Sequence, residues 1–305
     1  RWIMTNQLKG DAFSNRYRIT GTLTTLSPLH IGTGEERPME FSSEDERNKF
    51  MEKVGKIPNI STIITDHRCK PLIPGSSLRG VLRNWLLTVM EGIGTQWAVD
   101  RNYAELLEED QTEQILQAQN DFSYLELLFG TPVNAGKVEV WDATCCTGDL
   151  EAMNDRLLGW DSRRLTYVDT SVAIDPARGT AKNKLLYKAD VVPPGVTFEL
   201  NLVAQNLSDE EIGLVLLALE GFNSQIYPIQ VGARGGRGYG RMEFEMGAIY
   251  RLEQDGVEEW IRNTLHAEST DTKHAGFFGL PKLTEAEQEQ KIKDVKDKLI
   301  AAIGG

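Results

Sequence analysis

Ten consecutive residues, Gly232–Arg241, consist almost entirely of glycine and arginine and read GARGGRGYGR. The residues that follow, Met242–Met246, alternate between apolar and acidic side chains, which is typical of a strand with one buried face. Dinucleotide-binding fingerprints and P-loops need a helix that begins at their glycines, so the strand-like sequence after this run argues against both classes. The sequence therefore predicts a glycine-rich loop that leads into a strand.

The composition of this loop suits contact with a nucleic-acid backbone. Glycine lets the main chain approach phosphates closely, arginine matches phosphate oxygens with two N–H groups, and tyrosine offers a ring for stacking. An ordinary glycine-rich hairpin loop and a disordered RGG-like segment are the plainer alternatives. The candidate RNA-binding residues of the loop are Arg234, Gly235, Gly236, Arg237, Gly238, Tyr239 and Arg241.

A second motif, Pro71–Gly80, reads PLIPGSSLRG and predicts the end of an extended segment and the start of a helix. Ser76 or Ser77 is the expected helix cap, and the hydroxyls together with the free N–H groups of the first turn would suit phosphates. Arg79 and Arg83 lie one turn apart on the same predicted face. The plainer alternative is an ordinary helix cap with two surface arginines.

Charge limits the kind of nucleic-acid surface that the chain can carry. The net charge of −12 argues against indiscriminate polyanion binding, so a binding surface must be local. Residues 163–188 hold six basic residues against two acids, and residues 230–241 hold three arginines and no acid. These two segments are the expected basic surfaces.

The three cysteines, Cys69, Cys145 and Cys146, show neither zinc-ligand spacing nor an even number for disulfides. We therefore expect no metal site of this kind and a reducing, cytoplasmic location. No apolar run approaches the length of a membrane span.

The order of predicted elements indicates an α+β fold. Apart from the insertions, the chain reads strand, helix, strand, strand, helix, strand, which is the ferredoxin-like (RRM-like) order. The second helix has a capping box at Ser208 and Glu211. The predicted strands are Tyr17–Ile31, Gly136–Ala143, Val196–Val203 and Arg241–Tyr250.

Three segments interrupt this order, and a fourth extends it. Residues 35–57 are charged without periodicity and predict a loop insertion, residues 92–125 predict acidic peripheral helices, and residues 163–189 predict a basic, loop-rich excursion. The expected domain spans residues 16–250, and residues 251–305 form a charged helical extension. Helical spacing of apolar residues near the end leaves a docking helix and a solvated tail equally open.

Taken together, an ordered set of motifs resembles the RAMP superfamily of CRISPR proteins, and most closely the backbone subunits of type III effector complexes. The resemblance covers roughly residues 16–250 and excludes residues 35–57, 92–125 and 252–305. The motifs are Leu29–Gly34, Pro71–Gly80, Leu127–Gly130, Gly136–Ala143, Ile174–Asp175 and Gly235–Arg241.

The resemblance implies a palm with a protruding thumb that holds a short stretch of guide RNA and prises guide and target RNA apart. The thumb would be the excursion at residues 163–189, with Arg178, Lys182 and Lys184 as RNA contacts. Other subunits of a CRISPR effector complex would be its partners, and no membrane is implied. Contacts of this kind recognise backbone and shape, so any guide sequence should be accepted.

Cleaving relatives use an aspartate that lies twelve positions before the first proline of the second motif, which corresponds here to Asn59. Asparagine is a poor Mg²⁺ ligand and cannot act as a base, so this position is expected to be inactive. Glu36 or Asp66 could substitute, and His30 is a further candidate for acid–base chemistry.

We therefore expect a guide-RNA-binding subunit without cleavage. The alternatives are a metal-dependent endonuclease that cuts target RNA with Mg²⁺, a free-standing guide-processing endonuclease that uses His30, and an end-capping subunit that mainly holds protein partners.

Overall fold

The structure is a computed structural model that describes residues 8–39, 43–55, 57, 59–103, 122–148, 157, 159–175, 180–266 and 279–304. The strands are β1 (Asn15–Thr25), β2 (Gly32–Pro38), β3 (Asn59–Ile63), β4 (Leu72–Ile73), β5 (Val138–Val140), β6 (Ala143–Cys145), β7 (Tyr167–Asp175), β8 (Thr180–Val191), β9 (Thr197–Gln205) and β10 (Met242–Glu253). The helices are α1 (Glu44–Val54), α2 (Gly75–Met90), α3 (Tyr124–Phe129), α4 (Asp209–Glu220), α5 (Val257–His266) and α6 (Glu285–Gly304).

The first sheet is antiparallel and has the strand order β10-β1-β9-β6-β4, with β5 also paired to β9. Strand β1 lies inside this sheet, between β10 and β9, and its alternate residues Tyr17, Ile19 and Leu23 are fully buried. The order of β10, β1, β9 and the β5–β6 segment, with α2 and α4 as the connecting helices, is that of a ferredoxin-like sheet. The predicted α+β fold is confirmed.

Helix α4 begins where its sequence predicts. The Ser208 hydroxyl accepts a hydrogen bond from the Glu211 amide at 3.2 Å, and the Glu211 carboxylate accepts from the Ser208 amide at 2.7 Å. Lys137 donates to the same buried carboxylate at 2.6 Å, so the charge brought into the core by Glu211 is paired.

A second sheet has the order β2-β3-β8-β7 and corrects two sequence predictions. The predicted loop at residues 35–57 contains most of β2 and the helix α1, and the predicted loop-rich excursion at residues 163–189 is an antiparallel hairpin of β7 and β8. Both predictions were wrong because β2 and β8 pair with the distant strand β3. The boundaries of the expected domain and insertions remain predictions.

A buried carboxylate joins the strands of this second sheet. Asp190 on β8 is 1% exposed, and Arg37 on β2 donates to both of its oxygens, from Nε at 3.2 Å and from Nη2 at 3.1 Å. Arg164 lies 3.9 Å from the same group. Two cations therefore compensate one desolvated anion.

The C-terminal helix docks on the first sheet's helical layer, as one of the two alternatives predicted. Val295 and Leu299 are buried against α4, and a Cβ at Gly213 would lie 3.0 Å from the Leu299 Cβ. Lys291 and Lys298 both donate to the carboxylate of Asp209 at the start of α4. Apolar packing and two charge-assisted hydrogen bonds thus hold α6 in place.

Replacing Asp209 with asparagine should loosen this docking. Burial alone would raise the pKa of Asp209, but hydrogen bonds from Lys291 and Lys298 hold the pKa below its usual value. A lowered folded-state pKa means that the stabilisation is present above about pH 4 and is lost as the pH falls through the folded value. We expect amide hydrogen exchange in α6 to be roughly two- to fivefold faster in Asp209→Asn at neutral pH.

The matched control is Asp297→Asn, which removes the same charge from an exposed position of α6. Equal exchange rates in the two variants would contradict the proposed role of Asp209.

Candidate nucleic-acid interface

The glycine and arginine loop is closed by backbone hydrogen bonds at both ends. The Val231 amide donates to the Gly240 carbonyl at 2.9 Å, the Gly240 amide to Pro28 at 2.9 Å, and the Ala233 amide to His30 at 2.8 Å. The segment after β1 therefore holds the loop, and β10 starts directly after it. The predicted loop followed by a strand is confirmed.

The glycines of the loop divide into two kinds. Gly232 and Gly240 have positive φ angles, and a Cβ would lie 2.4 Å from the His30 carbonyl oxygen and 2.0 Å from that of Val231. These two glycines are required by close backbone packing. A Cβ at Gly236 or Gly238 would meet nothing within 4 Å, so the backbone there is open to an approaching ligand.

Arg234 and Tyr239 both contact Asp169 on β7. The Tyr239 hydroxyl donates to the Asp169 Oδ2 at 2.6 Å, and the Arg234 Nη1 donates to the same oxygen at 3.4 Å. The Arg234 guanidinium also lies 6.0 Å from the centre of the Tyr239 ring. Sequence reasoning missed Asp169, which carries no local signal beyond being an acid in a basic segment.

Arg237 and Arg241 are exposed at the loop surface. Within the described residues, neither guanidinium has a hydrogen bond or an ion pair. Each therefore keeps its full set of N–H donors for a ligand.

The start of α2 differs from its prediction. The helix begins at Gly75 with Pro74 as the cap, and neither Ser76 nor Ser77 caps it through its side chain. Instead, the Asp142 carboxylate accepts from the Gly75 amide at 2.7 Å. The expected serine cap is wrong because a carboxylate from a distant strand connection occupies that place.

Ser76 and Ser77 differ in their exposure to solvent. Ser76 is exposed and Ser77 is partly buried, so the Ser76 hydroxyl remains accessible at this helix end. A Cβ at Gly75 would lie 2.1 Å from the Val140 carbonyl oxygen, so the glycine of this motif is required by backbone packing.

The arginines of α2 both have partners within the protein. Arg79 donates to the carbonyl of Phe129 at the end of α3. Arg83 lies 3.5 Å from Asp100, in a pair that is partly exposed. An RNA phosphate at either position would have to replace an existing contact.

His30 is 5% exposed and joins two segments. Its Nδ1 lies 2.7 Å from the Asp190 carbonyl oxygen, which can only accept, so Nδ1 carries the proton. The Nε2 atom lies 3.4 Å from the Ser61 hydroxyl oxygen. This arrangement gives His30 a role in holding β8 to the segment between β1 and β2, and the predicted acid–base role stays a prediction.

Asn59 is exposed at the start of β3, and its amide donates to the Glu36 carboxylate on β2 at 3.0 Å. The Asp66 Oδ1 accepts from the amides of Arg68 and Lys70, so Asp66 organises its own turn. In the part of the chain that the structure describes, no group of three or more metal-binding side chains occurs.

Only part of the predicted thumb lies within the residues that the structure describes. Arg178 lies outside the described residues, as do the side chains of Lys182 and Lys184, whose backbones belong to β8. Lys188 on the same strand is buried, with its amine 3.2 Å from the Met39 sulfur and over the Phe50 ring. Burial lowers the pKa of the Lys188 amine.

The fold and the loop together define an α+β protein with a ferredoxin-like sheet and an arginine-rich, backbone-open surface loop. The RAMP superfamily model matches residues 22–243, which is most of the chain. The chain belongs to the RAMP superfamily, whose members are CRISPR-associated RNA-binding modules that work with RNA and other subunits.

A comparison with curated proteins finds no match. Among the described residues, no helix combines the length and the apolar character that crossing a bilayer requires.

The two kinds of glycine predict different responses to a methyl group. Gly240→Ala places a Cβ against the Val231 carbonyl at a positive φ angle, and should lower the free energy of unfolding by about 2 kcal/mol or more. Gly236→Ala is the control, because its Cβ meets open space, and should change the free energy by about 1 kcal/mol or less. Urea denaturation measures both, and equal losses would contradict the assignment.

Proposed function

We propose that this protein is a guide-RNA-binding backbone subunit of a type III CRISPR effector complex, which serves antiviral defence. It holds guide RNA and shapes the guide–target duplex without cutting it. The observation that carries the proposal is the pair of exposed guanidiniums, Arg237 and Arg241, on a loop that backbone hydrogen bonds fix at both ends.

A fixed loop with free guanidiniums favours phosphate as the ligand. Arginine binds phosphate through charge-assisted, often bidentate hydrogen bonds, and a preformed loop loses little conformational entropy on binding. The open backbone at Gly236 and Gly238 allows the RNA chain to approach closely. Such contacts read no base edges, so binding should not depend on the guide sequence.

Helix α2 contributes through its exposed serine. The Gly75 amide is already paired with Asp142, so Ser76 and Ser77 would bind phosphate through their hydroxyls. The Arg83–Asp100 pair is partly exposed, so the Arg83 guanidinium could exchange the Asp100 carboxylate for an RNA phosphate.

The hairpin of β7 and β8 acts as the thumb in this proposal. Its position beside the loop, through the contacts of Asp169, supports a role in separating guide from target. The basic residues Arg178, Lys182 and Lys184 are the proposed contacts. The insertions and Asn59 further support a specialised subunit of a subtype D complex, at one defined position rather than a repeating one.

Removing the free guanidiniums should weaken RNA binding in proportion to the phosphates they neutralise. For single-stranded RNA, each of Arg237→Ala and Arg241→Ala should reduce the slope of log K against log salt by about 0.7. The control Arg262→Ala removes an arginine that is paired with Glu258 on α5 and should leave the slope unchanged. Fluorescence titration with RNAs of several sequences measures the slope, and a loss confined to one sequence would contradict backbone recognition.

A second candidate function is metal-dependent cleavage of target RNA. The contact between Asn59 and Glu36 marks where such a site would lie, because an aspartate introduced at position 59 would stand beside the Glu36 carboxylate. Carboxylate oxygens are the ligands that Mg²⁺ prefers, and Mg²⁺ would supply charge stabilisation at the cleaved phosphate.

The test compares the chain with Asn59→Asp in the assembled complex, using end-labelled target RNA and Mg²⁺. We expect no cut at this subunit's position with the present chain and one additional cut with Asn59→Asp, which Asn59→Asp combined with Glu36→Gln should abolish. Asp255→Asn, which removes the same charge from an exposed residue after β10, is the control and should leave the pattern unchanged in the Asn59→Asp background. A cut by the present chain at this position would overturn the non-cleaving proposal.

A further inference from the structure

One carboxylate joins the arginine loop to the β7–β8 hairpin. The Asp169 Oδ2 accepts from the Tyr239 hydroxyl at 2.6 Å, from the Arg234 Nη1 at 3.4 Å and from the Ser171 hydroxyl at 3.3 Å. Asp169 and Ser171 belong to β7, whereas Arg234 and Tyr239 belong to the loop. Three side chains, one from β7 and two from the loop, therefore donate to one oxygen atom of Asp169.

The backbone of Arg234 indicates that its side chain has a positional role. Its φ of 67° and ψ of 24° lie in the left-handed region, which glycine adopts most easily, although the loop is rich in glycine elsewhere. A non-glycine residue persists in such a conformation when surrounding contacts determine it. Asp169 and the Tyr239 ring supply these contacts for the Arg234 guanidinium.

Tyr239 is held as a hydrogen-bond donor. Burial of the ring, together with the nearby Asp169 carboxylate, raises the pKa of Tyr239 to about 12. The phenol therefore keeps its proton at neutral pH, and its bond to Asp169 at 2.6 Å is charge-assisted.

We propose that Asp169 is a positioning residue that clamps Arg234 and Tyr239, fixes the arginine loop to the thumb hairpin, and leaves Arg237 and Arg241 as the loop's phosphate contacts. This inference rests on the proposed RNA-binding function and deepens it. It divides the three arginines of the loop into one that orients the loop and two that bind. It also makes the loop and the hairpin move as one unit.

The first test measures RNA affinity and its salt dependence. In Asp169→Asn, which keeps the side-chain shape, the loop must be ordered on binding, so we expect about tenfold weaker binding at every salt concentration with an unchanged slope. Tyr239→Phe should act in the same direction. Tighter binding with a steeper slope in Asp169→Asn would overturn the proposal, because Asp169 would then be a competitor of phosphate.

The second test needs no RNA. In the free protein, amide hydrogen exchange of residues 232–240 should be at least several-fold faster in Asp169→Asn and in Tyr239→Phe than in the parent chain. The matched control is Glu243→Gln, which removes the same charge from an exposed residue of β10 two positions after the loop. Exchange that is equal in all four proteins would overturn the clamp.

The two tests separate this inference from the function on which it rests. If the parent chain fails to bind RNA while Asp169→Asn still loosens the loop, the clamp stands and the proposed function fails. If the parent chain binds RNA with the expected salt dependence and Asp169→Asn changes neither affinity nor exchange, the function stands and the clamp fails.

Discussion

The position of the arginine loop depends on how the buried residue Asp190 is held in the second sheet. Its charge is almost fully removed from water, and it is tolerated because Arg37 and Arg164 compensate it. The carbonyl of the same residue accepts from His30, and the carbonyl of His30 accepts from Ala233 in the loop. One chain of hydrogen bonds thus runs from the second sheet through His30, in the segment between β1 and β2, to the arginine loop.

Local sequence signals predicted the elements whose structure is decided locally. The capping box at Ser208 and Glu211 predicts α4, and the alternation of apolar residues predicts β1, without tertiary information. Strand β2 escaped prediction because all but one of its residues are exposed, so it has no apolar alternation, and its pairing with β3 is set by tertiary contacts. The roles of Asp142 and Asp169 were not predicted for a related reason, since each carboxylate accepts a hydrogen bond from a residue more than sixty positions away in the chain.

Several glycines of the conspicuous motifs have a structural role in this chain. Gly75, Gly232 and Gly240 allow backbones to approach at distances that no Cβ permits. Gly130 and Gly136 do the same for each other, since a Cβ on Gly130 would lie 2.5 Å from the Gly136 nitrogen. These glycines maintain the fold whether or not RNA is bound, so a motif match identifies the architecture more directly than it identifies a binding residue.

The distribution of acids explains how a chain with a net charge of −12 can present a local cationic surface. Of the basic groups that sequence reasoning assigned to RNA, Arg83 and Arg234 face the carboxylates of Asp100 and Asp169. Internal pairing of this kind lowers the affinity for arbitrary polyanions, because a phosphate must displace a carboxylate that is already in place. Within the described part of the loop, Arg237 and Arg241 have no such carboxylate. The acidic composition therefore confines the attraction for RNA to positions where the fold leaves a guanidinium unpaired. Such a protein can bind an RNA backbone that follows one path over its surface and reject RNA in other positions.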